Sequence, residues 1–266
     1  MSSLDEDYAT PVRLAIYLEI GWSDFLFETT NLSGTARDLP YPNPRRDFVP
    51  PQFPREAARL ARSWAGDISL SVKSLCDVGG ATGRTLFELD RQFPECECLV
   101  LVEPSARFCD WAERLLSSDG ALPQVPMVDR AGSPRWLDPK SRPPQIARAA
   151  ERLAIVNETL EGFRPERGFD LVTCLNVVDR HPCPSDVVDD LAGLMNDGGL
   201  LVLSCPFDFD EDSTPDAGNW IDDLNALFAG SASWSHVGED EVFYEFRSHA
   251  RSWTRFSAQV VGKRWR

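Results

Sequence analysis

The run Leu75-Cys76-Asp77-Val78-Gly79-Gly80-Ala81-Thr82-Gly83-Arg84-Thr85 constrains this chain more than any other stretch. An apolar segment ending in an acid gives way to a turn with three glycines in five residues, and then to residues that suit a helix. A strand that enters a helix through glycines lets the backbone approach a ligand closely, and the helix start presents free N–H groups to it. Such units belong to chains in which strand and helix alternate, so that the strands pair in parallel. The pattern continues on either side, with strands expected near 74–78, 98–102, 154–157, 170–175, 199–204 and 257–263. Helices are expected near 83–92, 105–117 and 185–196. The fold class that follows is α/β, with a doubly wound and mostly parallel sheet.

Upstream, Thr10-Pro11 opens a helix expected to reach about Phe27, with threonine as cap and proline in the first turn. The stretch from Asp38 to Pro54 holds six prolines and reads as an extended loop, after which Pro54 starts a helix to about Ala65. Residues 1–66 thus form a helical and proline-rich cap on a core of 67–266, the whole being one domain. Between 118 and 145 lies a loop-rich insertion carrying six prolines and two glycines, longer than ordinary connections.

Acidic residues outnumber basic ones 42 to 27, a net charge of -15 that repels phosphate backbones and anionic lipid surfaces. Neither nucleic acid nor a membrane is therefore expected as a partner. The apolar runs fall far short of the roughly 20 residues of a membrane span. The acidic start Met-Ser-Ser-Leu-Asp-Glu-Asp lacks the order of a secretion signal, and a cytoplasmic location is expected. Seven cysteines without a CxxC spacing signal neither a disulfide framework nor a zinc site, and no metal is expected. No repeat is visible, and nothing in the sequence assigns an oligomeric state.

The glycine spacing fails the GxGxxG pattern of dinucleotide-binding folds, which disfavours a nicotinamide-dependent oxidoreductase. Asp77-x-Gly79-x-Ala81-x-Gly83 instead resembles the first motif of the class I S-adenosylmethionine-dependent methyltransferases. Twenty residues on, at the tip of the next expected strand, Glu103 is placed to accept hydrogen bonds from both hydroxyls of a ribose. The resemblance implies a Rossmann-like fold and S-adenosyl-L-methionine as cofactor, with S-adenosyl-L-homocysteine as product. It implies cofactor contacts at Asp77, Gly79, Gly80, Ala81, Gly83, Arg84, Glu103, Pro104 and Asn176. In Val156-Asn157-Glu158-Thr159, where this class presents a polar side chain to the adenine amine, Glu158 is the expected contact.

A further strand, Phe169 to Leu175, runs into the polar tip Asn176-Val177-Val178-Asp179-Arg180 at the sheet edge where open α/β sheets bind ligands. Leu175-Asn176-x-x-Asp179-Arg180, Gly198-Gly199-Leu200, Ser204, Pro206, Thr214-Pro215 and Trp220 resemble the methyltransferase domain of ovothiol biosynthesis, which methylates an imidazole nitrogen of a thiol-substituted histidine. Tyr8-Ala-Thr-Pro and Phe246-Arg247-Ser248-His249-Ala250-Arg251 are similar to two further runs of that domain. The acceptor motif also resembles the protein-histidine methyltransferases of His-x-His motifs. The resemblance implies methyl transfer to an imidazole of a small histidine derivative, with a peptidyl histidine as alternative; a second class is a non-catalytic subunit that retains the cofactor on the same fold.

Methyl transfer to a neutral ring needs no strong base, only control of the tautomer by a hydrogen bond from the other ring N–H. Asn176 and Asp179 are the residue types for that catalytic task. Tyr8, Tyr17, Phe207 and Tyr244 are candidates for an aromatic wall. Arg247 and Arg251 could fork onto a substrate carboxylate, and His249 could contact the ring.

Overall fold

A computed structural model of the chain describes residues 10–27, 52–130, 132–249 and 252–266. Five parallel strands form its centre: β1 (Ser74–Val78), β2 (Cys98–Val102), β5 (Leu153–Val156), β6 (Phe169–Leu175) and β7 (Met195–Cys205). Two long antiparallel strands, β8 (Trp234–His249) and β9 (Ser252–Trp265), complete a seven-stranded sheet of order β5-β2-β1-β6-β7-β9-β8. β2 and β6 flank β1 on opposite sides, so the strand order reverses there and a crevice opens at the carboxyl ends of these three strands.

Alternation along the buried strands sorts the core into two layers. Leu75, Leu99, Leu101, Leu171, Leu200 and Val202 face one side, where they meet Trp22, Phe87, Phe93 and Phe108. These rings come from α1 (Pro11–Leu26), α3 (Arg84–Gln92) with its C-cap Phe93, and α4 (Ala106–Leu116), which flank the sheet with α2 (Gln52–Asp67). Cys76, Val78, Val100, Val172, Cys174, Leu201 and Leu203 face the other, against α5 (Pro184–Ala192) and the 3₁₀ turn Leu224–Phe228. Two helix starts follow their sequence: Thr10 caps α1 by accepting from Arg13 N with Pro11 behind it, and Ser105 caps α4 by accepting from Phe108 N.

Three expectations change. Residues 118–145 carry an antiparallel hairpin, β3 (Val125–Arg130) and β4 (Ser133–Leu137), which packs on α1. The helix expected over 185–196 stops at Ala192, because Met195 already pairs with Phe169 and opens β7. β8, which carries His236, lies where no strand was expected. The expected loop over 38–54 falls mostly outside the described residues. Among those residues no helix is long and apolar enough to cross a membrane, and no cluster of potential ligands could hold a metal ion.

Candidate functional site

The turn after β1 is built from left-handed residues, with φ of 67° at Gly79, 47° at Ala81 and 83° at Gly83. Gly80 has no room for a side chain: a Cβ there would stand 2.3 Å from Leu101 Cδ1 and 2.5 Å from Asp77 Oδ2. A Cβ at Gly79 would lie 2.5 Å from Val177 Cγ2, so the turn rests directly on the loop after β6. The expected cofactor turn and the expected acceptor loop therefore touch.

Asp77 is buried beneath the turn. Its Oδ1 accepts from Thr173 Oγ1 at 2.6 Å, whereas Oδ2 is enclosed without a partner. Burial pushes this carboxyl up to about 7, against the opposing hydrogen bond from Thr173. Glu103, at the tip of β2, leans over the same turn, accepting from Ala81 N at 2.9 Å through Oε2 and from Ser105 N at 2.9 Å through Oε1. Its carboxylate thus stands between the glycine turn and the start of α4. Pro104 follows on the rim, and Asn157 donates from Nδ2 to the carbonyls of Glu103 at 3.0 Å and Pro104 at 2.8 Å. Glu158, the expected adenine contact, is exposed beyond the end of β5, where its Oε1 accepts from Thr159 N and Gly162 lies against it. β5 ends at Val156, so Asn157 and Glu158 are the first polar side chains beyond that edge.

Arg84 corrects another expectation. Its guanidinium turns away from the cofactor face to Asp24 (2.7 and 2.9 Å), Glu88 (2.6 Å) and the Gly21 carbonyl, between the rings of Trp22, Phe25 and Phe87. With its donors used there, it ties α1 to α3 and offers no fork to a cofactor.

Across the crevice, Asn176 is itself left-handed, with φ 57°. Its N–H donates to the Ser204 carbonyl at 3.0 Å, and its Oδ1 accepts from Ser204 Oγ at 2.8 Å, fixing the amide at the ends of β6 and β7. Asp179 is buried one helical turn on. Its Oδ2 accepts from Asp208 N at 3.2 Å, and its Oδ1 has no partner. Asp179 Oδ1 and Asp77 Oδ2 are the two buried side-chain oxygens without a partner among the described residues. Burial raises Asp179 to about 6, with nearby Arg180 opposing the shift. Arg180 is held by Asp210 at 2.5 Å and Asp208 at 2.7 Å.

The segment after β7 is fastened to this loop. Thr214 Oγ1 donates to the His181 carbonyl, Trp220 Nε1 donates to the Thr214 carbonyl, and the exposed Trp220 ring stacks on Phe209. Phe207, with φ 56°, is half-buried among them. Cys205, the last residue of β7, pairs with Gln259, so β8 and β9 continue past the sheet edge from about Val242 and Ala258. On that projecting hairpin Tyr244 packs on Phe53 and Phe256, close enough to Asp179 to feel its charge.

The remaining expected substrate contacts divide. Arg247 is corrected: it is buried against Glu19 of α1, at 2.6 and 3.1 Å, and that pair joins α1 to β8 rather than presenting a fork for a substrate carboxylate. Tyr17 packs on Phe108 at 4.7 Å. His249 is exposed at the far end of β8. Tyr8 and Arg251 lie outside the described residues.

A family model described as a methyltransferase domain matches residues 52–228, well over half of the chain. A comparison with curated proteins returns no match. Among solved structures, the N-methyltransferase NodS from Bradyrhizobium japonicum WM9, in complex with S-adenosyl-L-homocysteine, is similar at 13% identity and a TM-score of 0.50, covering 79% of this chain and 86% of NodS. PH1948 of Pyrococcus horikoshii, a candidate RNA methyltransferase, is similar at 10% identity and a TM-score of 0.51, covering 82% and 86%. With the glycine turn, the strand order and the family match in agreement, the chain belongs to the methyltransferase domain family.

Proposed function

We propose that the chain transfers the methyl group of S-adenosyl-L-methionine to a ring nitrogen of an imidazole carried by a small, thiol-histidine-type metabolite. The observation that carries this reading is the buried Asp179 Oδ1, an acceptor without a donor, set beside Asn176 on the loop that Gly79 touches. An orphan buried acceptor costs free energy unless a ligand satisfies it, and an imidazole N–H is a matching donor.

The cofactor's place is argued from the cradle itself. Gly80 leaves space where a Cβ would clash, Glu103 would take the ribose hydroxyls, and Asn157 and Pro104 line the adjoining rim. When bound, the cofactor supplies an electrophilic sulfonium methyl group, whose displacement requires a lone pair in line with the breaking C–S bond. Asp179 accepts the N–H of one ring nitrogen and so leaves the lone pair on the other. Ionised above about pH 6, it also offsets the positive charge that the ring gains on methylation, and it can take the ring proton. Asn176, held by Ser204, fixes the floor on which the ring sits.

A histidine within a peptide is the second reading. It is favoured by the commitment of Arg247 to Glu19, which withdraws one expected receptor for a free carboxylate. Purified protein with S-adenosylmethionine and four acceptors, 5-thiohistidine, histidine, carnosine and a His-x-His peptide, tests both. Turnover confined to a free imidazole supports the metabolite reading, turnover confined to the peptide transfers the role to peptidyl histidine, and silence on all four rejects both.

A further inference from the structure

The glycine turn contains a conformational difficulty that its own residues do not resolve. Ala81 is left-handed at φ 47° without being glycine, and Gly83 is left-handed two residues later. A non-glycine residue in this region is disfavoured and persists only when its surroundings hold it. Between the two sits Thr82, buried, and the group that reaches it comes from outside the family match: Trp22 of α1. The indole Nε1–H is shared between Thr82 O at 3.2 Å and Thr82 Oγ1 at 3.1 Å. Trp22 is fully buried, packed on Phe87, and lies under the Arg84 guanidinium at 5.1 Å. Arg84 in turn bonds Gly21 O and Asp24, so the same helix grips the residues on both sides of Gly83.

We propose that Trp22 is a positioning residue for the cofactor, holding the Ala81–Gly83 turn in its left-handed form from behind, so that α1 is a working part of the cofactor cradle. The proposal rests on the methyltransferase reading only for the identity of the ligand. Two hydrogen-bond acceptors of Thr82 face the indole, whereas the ligand side of the turn is bounded by Glu103 through Ala81 N. Trp22 therefore acts on the ligand through the turn, not by contact. The element it belongs to also receives Val128 N through Glu19, and Lys140 N and Ser141 N through the carbonyls of Leu26 and Phe25. The grip on the turn is thus continuous with the packing of the hairpin insertion.

The test is Trp22→Phe, which keeps a ring and removes the N–H, alone and combined with Ala81→Gly. The single variant is expected to weaken S-adenosylhomocysteine binding by calorimetry about fivefold, the equivalent of one net hydrogen bond, with the acceptor KM unchanged. It should also speed amide exchange in residues 80–84 without affecting the β1 and β6 amides. Adding Ala81→Gly, which removes the penalty on the left-handed residue, should restore most of the affinity. A purely structural role would lower the melting temperature and leave both the dissociation constant and the local exchange at their wild-type values, overturning the proposal. An affinity loss that Ala81→Gly does not rescue would overturn it too. Should the wild type itself bind no S-adenosylhomocysteine, the functional reading falls, and the exchange pattern at 80–84, which needs no ligand, still decides the role of Trp22.

Discussion

Replacing Asp179 by asparagine should make the protein more stable and less active, and both effects can be sized. Asp179 is about 1% exposed, with Oδ2 on Asp208 N, Oδ1 unpaired, and a carboxyl raised from 3.8 to about 6 by burial. Because the folded form holds its proton more tightly than the unfolded one, stability is greatest below pH 3.8 and falls as pH rises through about 6. At pH 7 the cost of the buried charge amounts to at most about 3 kcal/mol, the full pKa difference converted to free energy. Asparagine escapes that cost, so Asp179→Asn should gain stability at pH 7 by up to this amount and lose the gain at pH 4. Activity moves the other way. A charge-assisted hydrogen bond is worth about 1.5–3 kcal/mol, so kcat/KM should fall about 10- to 150-fold. The wild-type to variant ratio of kcat/KM should rise with pH across about 6, which separates Asp179 from the titration of the acceptor ring. Urea denaturation at pH 4 and 7 beside steady-state kinetics reads both quantities. A variant that keeps kcat/KM within threefold of wild type, or is destabilised at pH 7, refutes the assignment of Oδ1 to the acceptor.

The other carboxyl with an orphan oxygen behaves similarly: Asp77, raised to about 7, destabilises the fold as pH climbs from 3.8 to 7, so Asp77→Asn should flatten that slope in urea melts between pH 5 and 8. Glu103→Gln should weaken S-adenosylhomocysteine about tenfold in calorimetry, because a ribose receptor loses its charge. Gly80→Ala places a Cβ against Leu101 and Asp77, and should cost about 1–3 kcal/mol of stability by overpacking, seen in denaturation. Arg247→Met should leave Glu19 charged and buried, lowering stability by about 3–5 kcal/mol in urea. It should do so without raising the acceptor KM, since Arg247 holds α1 rather than the substrate.

Where the signal is local, the sequence carries it. β1 and β2 fall on 74–78 and 98–102 as expected, because a buried parallel strand is a short apolar run closed by a polar tip, and the glycine turn marks its end. β8 escaped because an edge strand reads differently: Glu239, Asp240, Glu241 and Glu245 interrupt its pattern and face water along an edge that charge protects from pairing. Pro126 and Pro134 concealed β3 and β4, since a two-stranded ribbon tolerates prolines that a central strand does not. The place of Asn176 and Asp179 just beyond the tip of β6 was legible from the polar run that ends the strand. The arginines were not, because their partners are remote: Asp24 lies 60 residues from Arg84, and Glu19 lies 228 from Arg247. A cation beside a motif looks like a ligand receptor until the fold brings an acid to it.

Transfer of a carbon-13-labelled methyl group from S-adenosylmethionine to 5-thiohistidine, followed by NMR of the product, tests the central claim most directly. The account predicts an N-methyl signal correlated with ring carbons, formed by the wild type and reduced at least tenfold by Asp179→Asn. A methyl group on sulfur, on the α-amine or on no atom of any imidazole acceptor would contradict it.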